Sequence, residues 1–262
     1  MNERALRIFA PAGVLAIGVV LWDLVVRINE IPPYILPSPG LVLTTLFTDW
    51  PILWSSLLAT LGTTIEGLVL AVVGGIGLAI AFNQSRVIER SFYPYAVILQ
   101  VTPVVAIAPL ILIWVGFEHI DRALALIAAL VAFFPILSNT TLGLKSADFN
   151  LVDLMRLYGA TRWQILWRLR LPASLPYLLS AMKIAGGLAL IGAVVAEFVA
   201  GSGTATGLAW RIVEAGNRLE IATMFAALAL LAVLGIAIFA AFSLLEWALL
   251  HRWHESALRQ QK

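Results

Sequence analysis

Six long apolar windows constrain this chain more than any other feature, at roughly 6–26, 57–82, 92–115, 124–144, 177–200 and 222–250. A helix needs about 20 apolar residues to cross the hydrocarbon of a bilayer, and each window supplies them with few charges. Composition agrees: 61% of the 262 residues are hydrophobic and 12% charged, where soluble domains run at about 45–50% and about 25%. The reading is an all-α integral membrane protein with six transmembrane helices in one domain, 1–262. A soluble enzyme and a disordered regulator are excluded. A net charge of +2 is too small for a polyanion-binding field, which excludes a nucleic-acid partner. With no cysteine, a disulfide scaffold, a thiolate metal site and a cysteine nucleophile are excluded too. The first window resembles a signal-peptide core, yet its length and the charged Asp23 and Arg27 beyond it fit an uncleaved anchor.

Six crossings place both termini on one side of the membrane. Thirteen of the 17 basic residues fall on that side, among them Arg86, Arg90, Lys145, Arg156, Arg162, Arg168, Arg170 and Lys183. Only Arg27, Arg122, Arg211 and Arg218 fall on the other. By the positive-inside rule both termini are cytoplasmic. The outer loop 27–56 carries Pro32-Pro33-Tyr34-Ile35-Leu36-Pro37-Ser38-Pro39. It cannot be helical throughout, because each proline removes a donor and pushes its predecessor to extended geometry. The inner loop 145–176 is the most charged stretch.

Within the windows, Gly67, Ala71, Gly75 and Ala79 recur every four residues. That stripe is read as a close helix–helix contact, with a pore-facing surface as the alternative. Asp23 has Arg27 one turn later, which suggests a local ion pair. Glu66 and Glu197 are costly in hydrocarbon and belong in a bundle interior or an aqueous cavity. For Glu66 a structural hydrogen bond and a pathway role are both open. Glu197 precedes Gly201-Ser202-Gly203-Thr204 and either ends the fifth span or orients the loop after it. Gln100, Thr102, Pro103 and Pro109 make the third window a broken or kinked helix. A plain proline kink and a translocation site are both compatible with that, since irregular backbone at membrane depth is tolerated where protein or water satisfies it.

No stretch reads as a phosphate-binding loop: Gly143-Leu144-Lys145-Ser146 lacks the glycine before lysine. His251 and His254 alone make a poor metal site, and no catalytic triad converges. The expectation is no enzyme, no metal and no cofactor bound by this chain. In the inner loop, Asn150 is placed to cap a helix over 151–158, with Asp153 as its capping-box partner. Gly159 suits the left-handed residue that ends it. A second helix is expected over 160–170, stopping at Leu171-Pro172. The result is a projecting knob mixing apolar Leu154, Tyr158 and Trp163 with four arginines; a basic helix lying on anionic lipid is the alternative.

The spacing Asp153-Leu-Met, Gly159, Leu169-Arg-Leu171-Pro172 resembles the "EAA" loop of inner-membrane permeases from binding-protein-dependent ABC importers. Leu154 and Met155 stand where that pattern has alanines. Leu36-Pro37-Ser38-Pro39, Pro103-Val-Val-Ala106-Ile-Ala-Pro109-Leu110 and Ala196-Glu197 extend the likeness to the nitrate/sulfonate/taurine branch. The resemblance implies a type I importer permease fold of the MetI-like kind, with a core over about 57–250 and a coupling helix within 145–176. It implies that Asp153, Arg156, Leu157, Tyr158, Gly159, Ala160, Thr161 and Pro172 meet a cytoplasmic ATPase, which would use ATP and Mg. Glu66, Gln100, Thr102, Pro103, Pro109 and Glu197 become candidates for the pathway. Tyr34, Leu36, Pro37, Ser202 and Thr204 become candidates for docking a periplasmic binding protein. A second permease copy, as a homodimer in the bacterial inner membrane, completes the expected assembly. The branch often has arginine where Gln100 stands and Gly-Leu-Gly where Gly207-Leu208-Ala209 stands. The cargo is therefore either a sulfonate-, nitrate- or taurine-like anion or a neutral heterocycle such as a pyrimidine vitamin precursor. The competing class is an ion-coupled secondary transporter using Glu66 or Asp23.

Overall fold

Apolar runs of this length fold as helices in a bilayer because only a helix satisfies its own backbone there. The computed structural model describes residues 3–201 and 206–251, and among them no strand occurs. The helices are α1 (Glu3–Ile28), α2 (Pro39–Thr48), α3 (Trp50–Gln84), α4 (Arg86–Val101), α5 (Val104–Val115), α6 (Ile120–Lys145), α7 (Phe149–Leu157), α8 (Arg162–Ile165), α9 (Leu171–Ala200), α10 (Leu208–Asn217) and α11 (Ile221–Leu250). Five stretches are long and apolar enough to cross a membrane alone, and α4 with α5 forms a sixth that is bent by 104°.

The break falls at Thr102-Pro103, where Thr102 is extended at ψ 126, the geometry that a following proline imposes. Pro94 and Pro109 stay inside their helices. Whether the bent pair crosses or turns back is settled by its ends. Glu89, near the start of α4, pairs with Lys145 at the end of α6. Ile111 and Leu112 of α5 pack with Ile120, Ala123 and Leu124 at the start of α6. The pair thus starts at one end of α6 and finishes at the other, as one broken crossing does, which makes six candidate crossings among the described residues.

Three boundaries differ from the sequence reading. Helix α3 starts at Trp50 rather than near 57: the Asp49 carbonyl accepts from Ile52 and Leu53 at 3.1 and 3.0 Å, and Trp50 stacks on Trp54 at 5.5 Å, aromatics suited to the interface. The outer loop holds α2, capped by Ser38 and opened by Pro39, where a proline at the first position costs no hydrogen bond. The second helix of the inner loop does not stop at Leu171-Pro172. It passes through a π turn, Leu166–Arg170, directly into α9, making one apolar run Arg162–Ala200. A proline ring clashes with the carbonyl four residues back, and the widened turn just before Pro172, with the Leu171 N–H reaching back to the Leu166 carbonyl, takes up that clash.

The contacts divide the chain into two compact units. In the unit Met1–Leu58 with Thr206–Ala232, Val42, Leu53, Leu208, Ala226 and Ala227 form the core, and Trp22 lies against Phe225 at 5.6 Å. Polar ties reinforce it: Thr223 donates to Asp49 at 2.9 Å, and Arg211 Nε to the Ser56 hydroxyl at 3.1 Å. Asp23 pairs with Arg27 at 2.7 Å, as the spacing suggested.

In the unit Ala59–Ala205 with Val233–Lys262, α3, α6 and α9 share an alanine-rich core including Ala71, Ala132, Ala181, Ala185 and Ala189. The small-residue stripe of α3 is a helix contact here. A Cβ added to Gly67 would stand 2.5 Å from the Ala128 Cβ, and one on Gly75 2.7 Å from Ile136 Cγ2. With no hydrophobic force between helices in lipid, such backbone approach is what makes packing favourable.

Candidate functional site

The knob is built by its own small core. Asp148, not Asn150, caps α7, its carboxylate accepting from the Asn150 N–H at 2.8 Å. Asp153 is accordingly no capping-box partner; it pairs with Arg156 at 3.1 Å. Aspartate wins because capping needs a residue just outside the helix whose side chain reaches back to a free N–H, and α7 begins at Phe149. The helix ends as its glycine requires. Gly159 has φ +75, its N–H meets the Arg156 carbonyl and the Ala160 N–H meets the Met155 carbonyl, both at 2.9 Å. That is the six-to-one closure of a left-handed helix stop. The capping box appears instead at the start of α8, between Thr161 and Gln164.

Val152 and Ile165 are buried against Ala147, with Met155 and Ala160 beside them. Because these residues turn inward, the others turn out. Leu157 is 86% exposed and Tyr158 85%, and Phe149, Leu154, Trp163 and Trp167 are exposed as well. Gly159, Thr161, Arg156 and Asp153 are also exposed, while Ala160 is half-buried. Pro172 is exposed in the first turn of α9, beyond the knob itself. The knob therefore presents an apolar tip among charged residues, carried on α7 and α8. Elements hold the knob at a fixed place: Arg162 donates to the Gln84 carbonyl at 3.2 Å and Arg170 to Asn83 Oδ1 at 2.8 Å, so it is tied to the end of α3.

The candidate pathway residues scatter. Glu197 is 1% exposed, and its carboxylate accepts from the buried Thr60 hydroxyl at 2.8 Å; it braces α9 against α3 and does not end the span in solvent. Glu66 stands exposed midway along α3, with no side-chain hydrogen bond or ion pair among the described residues. Of its two open readings, the structural bond within the chain has no partner there. Gln100, Thr102 and Pro103 flank the break, Gln100 and Pro103 exposed, with the Thr102 hydroxyl donating to the Ile98 carbonyl at 2.7 Å. Pro109 is exposed within α5. None of the six lines the cavity beside the knob or the apolar pocket between α3, α5 and α6.

Of the docking candidates, Tyr34 is exposed, Leu36 half-buried and Pro37 buried. Pro37 therefore packs inward and is corrected from contact residue to support, leaving Tyr34 and the neighbouring Ile35 as the exposed tip. Ser202 and Thr204 lie outside the described residues. Sequence reasoning missed Lys183 and Glu246, which pair between α9 and α11 with Ser180 also donating to Glu246 at 3.2 Å. The signal was present: two opposite charges in separate apolar runs need each other in a low dielectric.

Helices of membrane-spanning length with a projecting knob define an integral membrane protein, and comparison with known proteins gives its family. Residues 71–250 match the family "Binding-protein-dependent transport system inner membrane component", and the chain belongs to that family of ABC transporter permeases. It is 34% identical to the formylaminopyrimidine transport permease ThiX of Halalkalibacterium halodurans, over 95% of this chain and 97% of that one. It is 36% identical to the riboflavin transport system permease RibX of Chloroflexus aurantiacus, over 92% and 89%. It is 29% identical to the taurine transport permease TauC of Escherichia coli, over 85% and 82%, which places it in the branch that its motifs resemble. The solved MetNI methionine ABC transporter has the same fold: TM-score 0.60 at 20% identity, over 78% of this chain and 97% of that one.

Proposed function

We propose that this permease works as a homodimer in the bacterial inner membrane, both termini cytoplasmic, and that its knob is the coupling helix seated in a groove of a separate ATPase. The observation that carries this reading is the outward-facing Leu157–Tyr158 tip on a fold whose own core needs neither residue. ATP and Mg would be bound by the ATPase; closure of two ATPases would bring the two knobs together and open the pathway to the opposite face, where a binding protein docks near Tyr34. The basic residues gathered at the knob end support a cytoplasmic placement. Glu66, a carboxylate exposed at mid-helix, supports a wet or partner-covered α3 face, because a carboxylate against lipid costs about 2.5–3.5 kcal/mol.

For the cargo we infer a neutral heterocycle related to the pyrimidines and flavins named for two relatives. Gln100, exposed beside the break, offers an amide that both donates and accepts, where an arginine would suit a sulfonate. The test is uptake in proteoliposomes. With binding protein, ATPase and ATP present, a labelled aminopyrimidine should accumulate and taurine should not. The permease alone should move neither under a pH gradient; flux in that preparation would favour an ion-coupled transporter and end this reading.

A further inference from the structure

Beside the knob a cavity of about 1250 Å³ opens towards the turn joining α3 to α4. Among its described lining residues are six cations, Arg86, Arg90, Lys145, Arg156, Arg162 and Arg170, and one carboxylate, Glu89. Glu89 is engaged by Lys145, and Arg156 pairs with Asp153 outside the lining. Four guanidiniums remain with no carboxylate against them among the described residues. Arg162 and Arg170 donate to neutral oxygens of Gln84 and Asn83, while Arg86 and Arg90 stand exposed at the rim.

Two buried donors point the same way. Gln84 Nε2 and Arg170 Nε belong to lining residues, and neither has an acceptor among the described residues. A buried donor left without an acceptor costs about 1–3 kcal/mol, and more when charged. Water could serve both donors, yet it leaves six lining cations against one carboxylate unbalanced. An anion serves the donors and reduces that imbalance. The start of α4, capped by Ser85, also opens here and adds the positive end of a helix. Phosphate oxygens fit the guanidinium forks and the amide donor together. Val87, Phe92 and Tyr95 stand exposed along the same helix, an apolar flank of the kind that acyl chains cover where basic pockets at span ends hold acidic headgroups.

We propose that this cavity is a phosphate-binding site, filled by the headgroup of an acidic phospholipid or by a soluble phosphate, and that its occupant fastens the knob to α3 and α4. The site is independent of which solute is carried. The full-length chain, purified in neutral detergent, is offered inorganic phosphate against chloride at matched ionic strength. In parallel it is placed in phosphatidylcholine nanodiscs with or without phosphatidylglycerol. Thermal midpoints are read in both arms, and retained lipid is read by native mass spectrometry. Phosphate, phosphatidylglycerol or both should raise the midpoint by several degrees, with phosphatidylglycerol retained at least tenfold over phosphatidylcholine if lipid is the source. A response to phosphate alone assigns a soluble anion. The double variant Arg86→Gln/Arg90→Gln changes only exposed rim residues and should weaken the response at least fivefold; Gln84→Leu should weaken it as well. Equal effects of chloride and phosphate with no lipid preference, or an undiminished response in both variants, would overturn the proposal.

Discussion

Gly159 shows how a single residue sets the geometry of the knob. Its φ of +75 closes α7, and no atom lies within 4 Å of where a Cβ would stand. A substitution there is therefore penalised by backbone strain alone, roughly 1–2 kcal/mol for most L-residues in left-handed geometry. Gly159→Ala should loosen the knob and lower ATPase-coupled uptake, whereas Gly159→Asn, which tolerates that conformation, should retain most of it; equal uptake by both would contradict the strain argument. Thr60 makes the opposite point, since its importance was invisible until a partner 137 positions away was found. Thr60→Val removes a hydroxyl from a buried carboxylate and should cost about 1–3 kcal/mol, seen as a lower unfolding midpoint in detergent. An unchanged midpoint with lost uptake would favour a pathway role for Glu197.

The elements pack by closeness more than by bulk. Gly67 lets α3 approach α6 until there is no room for a methyl group. Gly67→Val should destabilise by about 1–3 kcal/mol through overpacking, while the same change at Gly77, where a Cβ meets nothing within 4 Å, should be nearly silent; thermal unfolding of the two variants decides. The break between α4 and α5 follows from one proline of three in that stretch. Pro94 and Pro109 are absorbed within their helices, and only Thr102-Pro103 turns the chain. Their shared residue type is plain in the sequence, but which one breaks the helix is seen only in the fold.

At the scale of the whole molecule, the exposed Leu157–Tyr158 tip of the knob is where the proposed coupling is tested. Leu157→Ser/Tyr158→Ser should leave the unfolding midpoint unchanged, because neither side chain belongs to the core, and should weaken capture of the ATPase by at least tenfold, as loss of a central interface anchor does. Co-purification under graded salt measures it; unchanged capture would move the docking surface elsewhere on the knob. The six crossings, the small-residue contact stripe, the left-handed stop at Gly159 and the knob itself were all readable along the chain. Each rests on local chemistry: apolar length, the period of 3.6, and the freedom of a residue without a Cβ. The cap of α7, the passage through Pro172, the sealing of Glu197, the Lys183–Glu246 pair and the basic cavity were not. Those depend on which side chains converge from separate helices, and that is set by how the bundle closes, a distance in space that no interval along the sequence encodes.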